Sequence, residues 1–162
     1  MRTLISLIAL IAAAMLAPAP AAAQTETSVT IAGAGLFPAG AGYLGLPLRS
    51  LTLGVGLGVA GSAAAGQFQV TLTGTTLLGD ERHITVNGRA TGGAVAAPGS
   101  AAFSGIATVD PGDGTLPVAG VPFAALVVPG ANGTGSLRLN LGTTALPAAS
   151  ISEGYVTVQP VQ

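Results

Sequence analysis

The chain of 162 residues contains no cysteine, no tryptophan and no lysine, and His83 is its single histidine. The lack of cysteine excludes a disulfide framework, thiol chemistry and attachment of a lipid to a cysteine. The lack of lysine excludes a phosphate-binding loop, which needs a lysine at its end. Packing of side chains must therefore hold the fold together without covalent cross-links.

Charge is also scarce, since five arginines stand against six acidic residues and the net charge is −1. Affinity for nucleic acid grows with the number of phosphates that cationic side chains neutralise. So few arginines cannot form a basic patch, and we expect no nucleic-acid partner. Disordered chains combine low hydrophobicity with high net charge. This chain is 49% hydrophobic and nearly neutral, which favours a folded domain.

The N-terminal residues have the pattern of a secretory signal peptide. Arg2 provides a positive start, residues 4–16 form an uncharged apolar run, and Ala21-Ala22-Ala23 offers the small residues that signal peptidase accepts. The apolar run is shorter than the ~20 residues that a bilayer core requires. We therefore predict a cleaved signal peptide over 1–23, a single domain over 24–162 with no transmembrane span, and export to the periplasm, the extracellular medium or the cell surface.

Alternation of apolar and polar residues predicts an all-β fold, because successive side chains of a strand point to opposite faces. Glycine, proline, asparagine and aspartate separate the alternating stretches, and no stretch after the signal shows a helical pattern. Many short strands with regular turns predict an antiparallel β-sandwich, with a small barrel as the alternative. The predicted strands are 28–31, 51–59, 67–73, 83–86, 102–109, 123–128, 136–141 and 155–159.

Two other segments are expected to be irregular. Asn87-Gly88 is a strong signal for a type I′ turn at the end of a strand. Residues 92–99, which are rich in glycine and alanine and contain Pro98, predict a loop inserted between strands.

Segment 51–59 is unusual because Thr52, Gly54, Gly56 and Gly58 alternate with branched aliphatic residues. One face of this strand is therefore nearly bare. We expect large side chains of a neighbouring strand or of the opposite sheet to cover the glycines. The functional alternative is a flat groove for a ligand or a second chain, which predicts exposed glycines.

The same segment contains a dinucleotide-type spacing, Gly56-x-Gly58-x-x-Gly61, with Asp80 downstream. That motif binds a pyrophosphate only where its last glycine begins a helix. Residues 62–66 allow barely one turn before the strand at 67–73, so we predict no nucleotide site and no cofactor.

The candidate reactive residues are concentrated in "LGDERHITVNGR", residues 78–89, which contains Asp80, Glu81 and His83. The pattern of this strand places Ile84 and Val86 inward and His83 outward. No Gly-x-Ser-x-Gly elbow provides a nucleophile for the histidine. We therefore assign no catalytic, cofactor-binding or metal-binding residue, and we interpret the charged residues as a solvated strand edge.

A second acidic pair, Asp110 and Asp113, lies in "DPGDG". Two carboxylates could contribute to a calcium site, which needs six to eight oxygen ligands. Proline, aspartate and glycine are also the residues that turns select, so a hairpin turn is the preferred interpretation.

The order of the stretches "SVTIAGAG", "SLTLGVGLGV", "GQFQVTL", "HITVNG", "AAFSGIATVDPG", "VPFAALVV", "GTGSLRLNL" and "ISEGYVTVQ" resembles small β-sandwich domains at the ends of large bacterial secreted and cell-surface proteins, including those that carry COAP modules. The resemblance implies a non-catalytic domain and transfers no site residue to this chain. Residues 129–135 depart from the pattern, because "PGANGTG" lacks the aspartate that such domains have in a turn before a strand.

Three functions are consistent with these features. The first is a secreted, non-catalytic module that binds a glycan, a protein or another envelope component through a sheet face or loops. The second is a structural protein that self-associates, since a flat glycine run and low charge weaken the usual protection of strand edges. The third is a hydrolase or metal-dependent enzyme that uses the region from Asp80 to His83, together with Asp110.

Overall fold

A computed structural model describes residues 26–96 and 99–161, and the predicted signal peptide lies outside these ranges. The strands are β1 (Thr27–Leu36), β2 (Gly42–Tyr43), β3 (Leu46–Ala60), β4 (Ala63–Thr75), β5 (Glu81–Ala96), β6 (Ser100–Asp110), β7 (Val118–Pro129), β8 (Gly135–Leu141), β9 (Thr144–Ala145) and β10 (Ala149–Pro160). Among the described residues, the only helical element is a 3-10 turn, Ala131–Gly133. In this part of the chain no helix has the length and hydrophobicity needed to cross a membrane.

The predicted all-β fold is confirmed. Each of the eight predicted strands lies inside one of the long strands, and the prediction missed only the two-residue strands β2 and β9. Alternation was a reliable signal because the inward residues of the long strands are almost all apolar. No polar or charged side chain is buried among the described residues.

All strand pairs are antiparallel, and the hydrogen-bonded order is β1-β10-β8-β7-β6-β5-β4-β3-β2. β1 also pairs along its whole length with β3, from Thr27 opposite Val59 to Leu36 opposite Ser50. Each of the eight long strands therefore has a neighbour on both sides. The two faces of this sheet differ, with aliphatic and aromatic side chains inside and mostly small or polar side chains outside, where Ile106, Leu126 and Val128 are the larger apolar exceptions.

Three phenylalanines form the centre of the core. Phe68 of β4 and Phe123 of β7 stack with ring centroids 5.0 Å apart. Phe103 of β6 meets both rings edge-on, at 5.6 Å and 6.2 Å. These arrangements are the ones that aromatic quadrupoles favour.

Gly88 is part of this aromatic packing, which corrects the prediction of a turn at Asn87-Gly88. β5 continues through both residues, and Gly88 lies opposite Phe68 on one side and Ala107 on the other. A Cβ atom at position 88 would lie 2.8 Å from Cε1 of Phe123 and 3.1 Å from Cδ1 of Phe68. The glycine is present because the rings occupy the space of a side chain.

Residues 92–96 were predicted as part of a loop, and this prediction is also wrong. They extend β5, where Gly93 pairs with Phe103 and Ala96 with Ser100. Close packing again explains the small residues, because a Cβ atom at Gly93 would lie 2.8 Å from the side chain of Ala64. Residues 97 and 98 lie outside the described ranges.

The glycines of β3 are exposed, contrary to the expectation that large side chains cover them. An added Cβ atom at Gly54 or Gly56 would meet no atom within 4 Å, and at Gly58 it would meet only the side chain of Glu26. Gly54, Gly56 and the flanking β1 residues Thr30 and Ala32 form a bare strip on the outer face, which we call the glycine strip.

Alanine substitutions at Gly88 and Gly56 should have opposite effects on stability. Gly88→Ala overpacks the phenylalanine cluster and should lower the free energy of unfolding by about 1–3 kcal/mol. Gly56→Ala has free space and reduces the entropy of the unfolded chain, so it should raise that free energy by about 0.5–1 kcal/mol. Urea unfolding of both variants and the wild type measures the difference. An unchanged midpoint for Gly88→Ala would contradict the packing described above.

Candidate functional site

His83 lies on the outer face of β5, as predicted, and its side chain is 55% exposed. Its Nδ1 atom lies 3.0 Å from Oγ1 of Thr73, the residue opposite it on β4. Its Nε2 atom lies 3.2 Å from Oε1 of Glu81. Both imidazole nitrogens therefore have partners on the outer face.

Asp80 belongs to the turn that precedes β5. Its backbone N–H donates to Oγ1 of Thr76, and its carbonyl accepts from the N–H of Thr76. Within residues 26–96 and 99–161, no group of three or more histidine, aspartate or glutamate side chains is arranged to hold a metal ion.

Asp110 and Asp113 act as turn formers, which confirms the preferred interpretation of "DPGDG". Oδ1 of Asp110 accepts a hydrogen bond from the N–H of Gly112 at 2.9 Å. Oδ1 of Asp113 accepts from the N–H of Thr115 at 3.0 Å and from its hydroxyl at 2.6 Å. A carboxylate that bonds to the backbone two residues further along the chain mimics a backbone turn.

The loop 111–117 lies against the start of β5. Gly112 contacts the backbone carbonyl of His83, and Oδ2 of Asp113 lies 3.7 Å from a terminal guanidinium nitrogen of Arg82. The hydroxyl of Thr115 is the main reason that the pKa of Asp113 lies below its ordinary value, followed by the Thr115 N–H, with Arg82 contributing less. The sequence analysis did not predict this contact, because nothing in the sequence indicates that the loop folds back onto β5.

A depression with a volume of about 820 Å³ lies over β4, β5 and β6. The side chains that line it on the outer face come from these adjacent strands. We call this surface the polar concavity, and its side chains are Gln67, Gln69, Asn87, Arg89, Ile106 and Thr108.

Strand register brings these side chains together. Gln67 lies opposite Arg89, which lies opposite Ile106, and Gln69 lies opposite Asn87, which lies opposite Thr108. Opposite residues have Cβ atoms roughly 5 Å apart, so two rows of side chains cross the three strands.

An irregularity in the β6–β7 pairing bounds the concavity on one side. The register shifts between Ala107 and Val109, so that two residues of β7, Ala119 and Gly120, lie opposite Thr108 alone, one more than in regular pairing. Gly120 has a φ of 77° and contributes to the lining. Extra residues of this kind bend a strand away from the regular sheet.

The polar groups of the concavity have no intramolecular partners. Among the described residues, no side-chain hydrogen bond or ion pair involves Gln67, Gln69, Asn87, Arg89 or Thr108. Three side-chain amides, one guanidinium group and one hydroxyl are therefore free to bond to a ligand.

The concavity is continuous with the glycine strip. Gly54 lies opposite Gln69, and Gly56 lies opposite Gln67, so the bare surface of β3 borders the row of glutamines. The concavity was not predicted from the sequence. Its signal was the outward polar residues of two neighbouring strands, in "GQFQV" and "VNGR", but a turn at Asn87 would have separated them.

Comparisons with protein-family models, with curated proteins and with solved structures found no match for this chain.

The pKa of Asp113 should depend more on Thr115 than on Arg82. Thr115→Val removes the hydroxyl donor and should raise the pKa of Asp113 toward 3.8, its ordinary value, whereas Arg82→Gln should raise it less. NMR titration of the carboxyl carbons measures both changes. Because the folded pKa is depressed, the contribution of Asp113 to stability is fully present above pH 3.8 and is lost as the pH falls through the folded value. An equal or larger effect of Arg82→Gln would contradict this order of causes.

Proposed function

We propose that this protein is a non-catalytic module of the bacterial cell envelope that binds a glycan in the polar concavity. The observation that carries the proposal is the set of polar side chains on three adjacent strands, gathered in one depression and without partners of their own. Its export is proposed from the signal-peptide pattern of residues 1–23 and from the resemblance to domains of secreted proteins.

The chemistry of the lining favours a glycan over other ligands. Amide groups of Gln67, Gln69 and Asn87 both donate and accept hydrogen bonds, as sugar hydroxyls do. Ile106, which is 56% exposed, provides an apolar surface for the C–H face of a sugar ring. Arg89 is the one charged residue of the lining, so a glycan with an acidic group would gain a charge-assisted bond.

A small closed barrel is the architecture that we propose for this module, in preference to an open sandwich. The pairing of β1 with both β10 and β3 supports it, because hydrogen bonding then continues from strand to strand around the eight long strands. Barrels of about this strand number are filled by their inward side chains, as the phenylalanine cluster is here. In such an architecture ligands bind outside or at the ends.

Catalysis at the region from Asp80 to His83 has less support. Both nitrogens of His83 already contact Thr73 and Glu81, and the surrounding surface is open to water. Asp110 and Asp113 are used by their own loop. A binding role for the outer face needs none of these groups.

Two arginines provide a matched test of the glycan site. Arg89→Gln and Arg138→Gln each remove one positive charge from the outer face, but only Arg89 lines the polar concavity. Arg89→Gln should weaken binding to array glycans at least tenfold, since a hydrogen bond to a charged group contributes about 1.5–3 kcal/mol. Arg138→Gln should change it less than twofold. An array that captures no glycan, or equal losses in both variants, would contradict the proposal.

Self-association is the second candidate, and the exposed glycine strip favours it. Association across Gly54 and Gly56 would occur face to face, because β3 is already paired with β1 on one side and with β4 on the other. Gly56→Lys should then abolish the oligomer in sedimentation equilibrium, because it places a charge in the interface. Asn140→Lys, on the outer face of β8, should leave it intact. A wild-type protein that stays monomeric at all concentrations would rule this candidate out.

A further inference from the structure

The two ends of the sheet differ in composition. Antiparallel pairing places the connections 37–45, 76–80, 111–117 and 142–148 at one end, and 61–62, Gly99 and 130–134 at the other. We call the first the leucine end. Leucines lie in three of its connections, whereas the described residues of the connections at the other end include no large apolar side chain.

Three of these leucines are the most exposed large hydrophobic residues in the described part of the chain. Leu77 is 100% exposed, Leu78 90% and Leu116 88%, while Leu44 is 53% exposed. Burial in the core therefore does not explain their presence, although the core lies only a few residues away in each strand.

Turn geometry does not explain them either. Leu44 has a φ of 50° and precedes Gly45, with a φ of 75°, in a two-residue turn between β2 and β3. Such turns favour asparagine or glycine at the first position, because a positive φ is unfavourable for leucine. The turn 76–80 is closed by backbone hydrogen bonds between Thr76 and its partners Gly79 and Asp80, without any part for the side chains of Leu77 and Leu78. Leu44 therefore stands against the preference of its turn, and the side chains of Leu77 and Leu78 take no part in closing theirs, which points to a role outside the fold.

The arrangement of the tips fits a flat apolar phase. The three connections join β2 to β3, β4 to β5, and β6 to β7, and these strands are consecutive in the sheet. Adjacent strands are about 4.8 Å apart, so the tips form a row with a spacing of roughly 10 Å. A fluid bilayer accepts separate protrusions of this kind, whereas a protein partner would need a matched pocket for each one.

Charge selects the type of bilayer. Carboxylates outnumber cationic side chains near these connections. The acidic residues are Asp80, Glu81, Asp110 and Asp113, and the basic residues are Arg49, Arg82 and His83. Anionic lipids would be repelled rather than attracted.

We propose that the leucine end docks on a membrane surface with zwitterionic headgroups by inserting Leu44, Leu77, Leu78 and Leu116 into the interfacial region. Transfer of exposed leucines out of water provides the driving force. This surface is separate from the polar concavity, so its role does not depend on glycan binding.

The absence of cysteine allows single-site labelling of the full chain. We would prepare Leu78→Cys, Leu116→Cys and, as the control at the opposite end, Ser62→Cys, each labelled with an environment-sensitive fluorophore. Phosphatidylcholine vesicles should shift the emission of labels at 78 and 116 to shorter wavelength and leave the label at 62 unchanged. Insertion of leucines does not depend on charge, so the shift should be the same at about 0.1 M salt, where screening is weaker, and at about 0.5 M salt, where it is stronger.

Loss of a leucine should weaken docking in proportion to the apolar surface removed. In the chain labelled at 116, Leu77→Gln should raise the vesicle concentration for the half-maximal shift about tenfold or more. Its thermal midpoint should not change, because residue 77 is fully exposed. No shift at 78 and 116, a shift only at 62, or a shift that appears without vesicles as the protein concentration rises would each overturn the proposal, the last in favour of a second copy of the chain.

Discussion

Two-sided pairing of β1 is the constraint on which the rest of the structure depends. β1 bonds to β10 along one side and to β3 along the other, whereas β10 pairs with β8 only over Ala149–Ile151. Close backbone contact accompanies this pairing, since Gly154 approaches the carbonyl of Ala32. With every long strand paired, one face of the sheet must enclose the apolar residues and the other must meet water. This division explains why a chain with so little charge can still present a polar surface.

The strands were predictable because apolar and polar residues alternate along them, which reflects the apolar inner face and the polar outer face of the sheet. The prediction failed where a small residue has a packing role that looks like a turn signal. At Gly88 the reason is the ring pair of Phe68 and Phe123, which comes from strands far apart in sequence. At Gly93 it is the side chain of Ala64. A local sequence pattern cannot distinguish a glycine that permits a turn from a glycine that leaves room for the side chain of another strand. The packing of that side chain is known only from the tertiary structure.

The candidate site was harder to predict than the fold. Rare charged residues draw attention in this sequence, yet Glu81 and His83 mainly contact each other and Thr73. The concavity is instead built from ordinary amides, and its identity depends on register. Gln67 becomes a neighbour of Arg89 only through the β4–β5 pairing. A shift of one residue would place either side chain on the opposite face.

The positions of the two proposed surfaces are compatible with simultaneous use. Arg89 lies eight residues along β5 from Glu81, at the leucine end. At about 3.3 Å per residue, the concavity is at most roughly 25 Å from the tips, and strand tilt shortens this height. The concavity also opens sideways, on the outer face of the sheet, rather than at the end. A module that rests on a membrane by its leucines therefore keeps the amides and guanidinium group above the headgroups, where an extended polymer that runs parallel to the membrane can reach them.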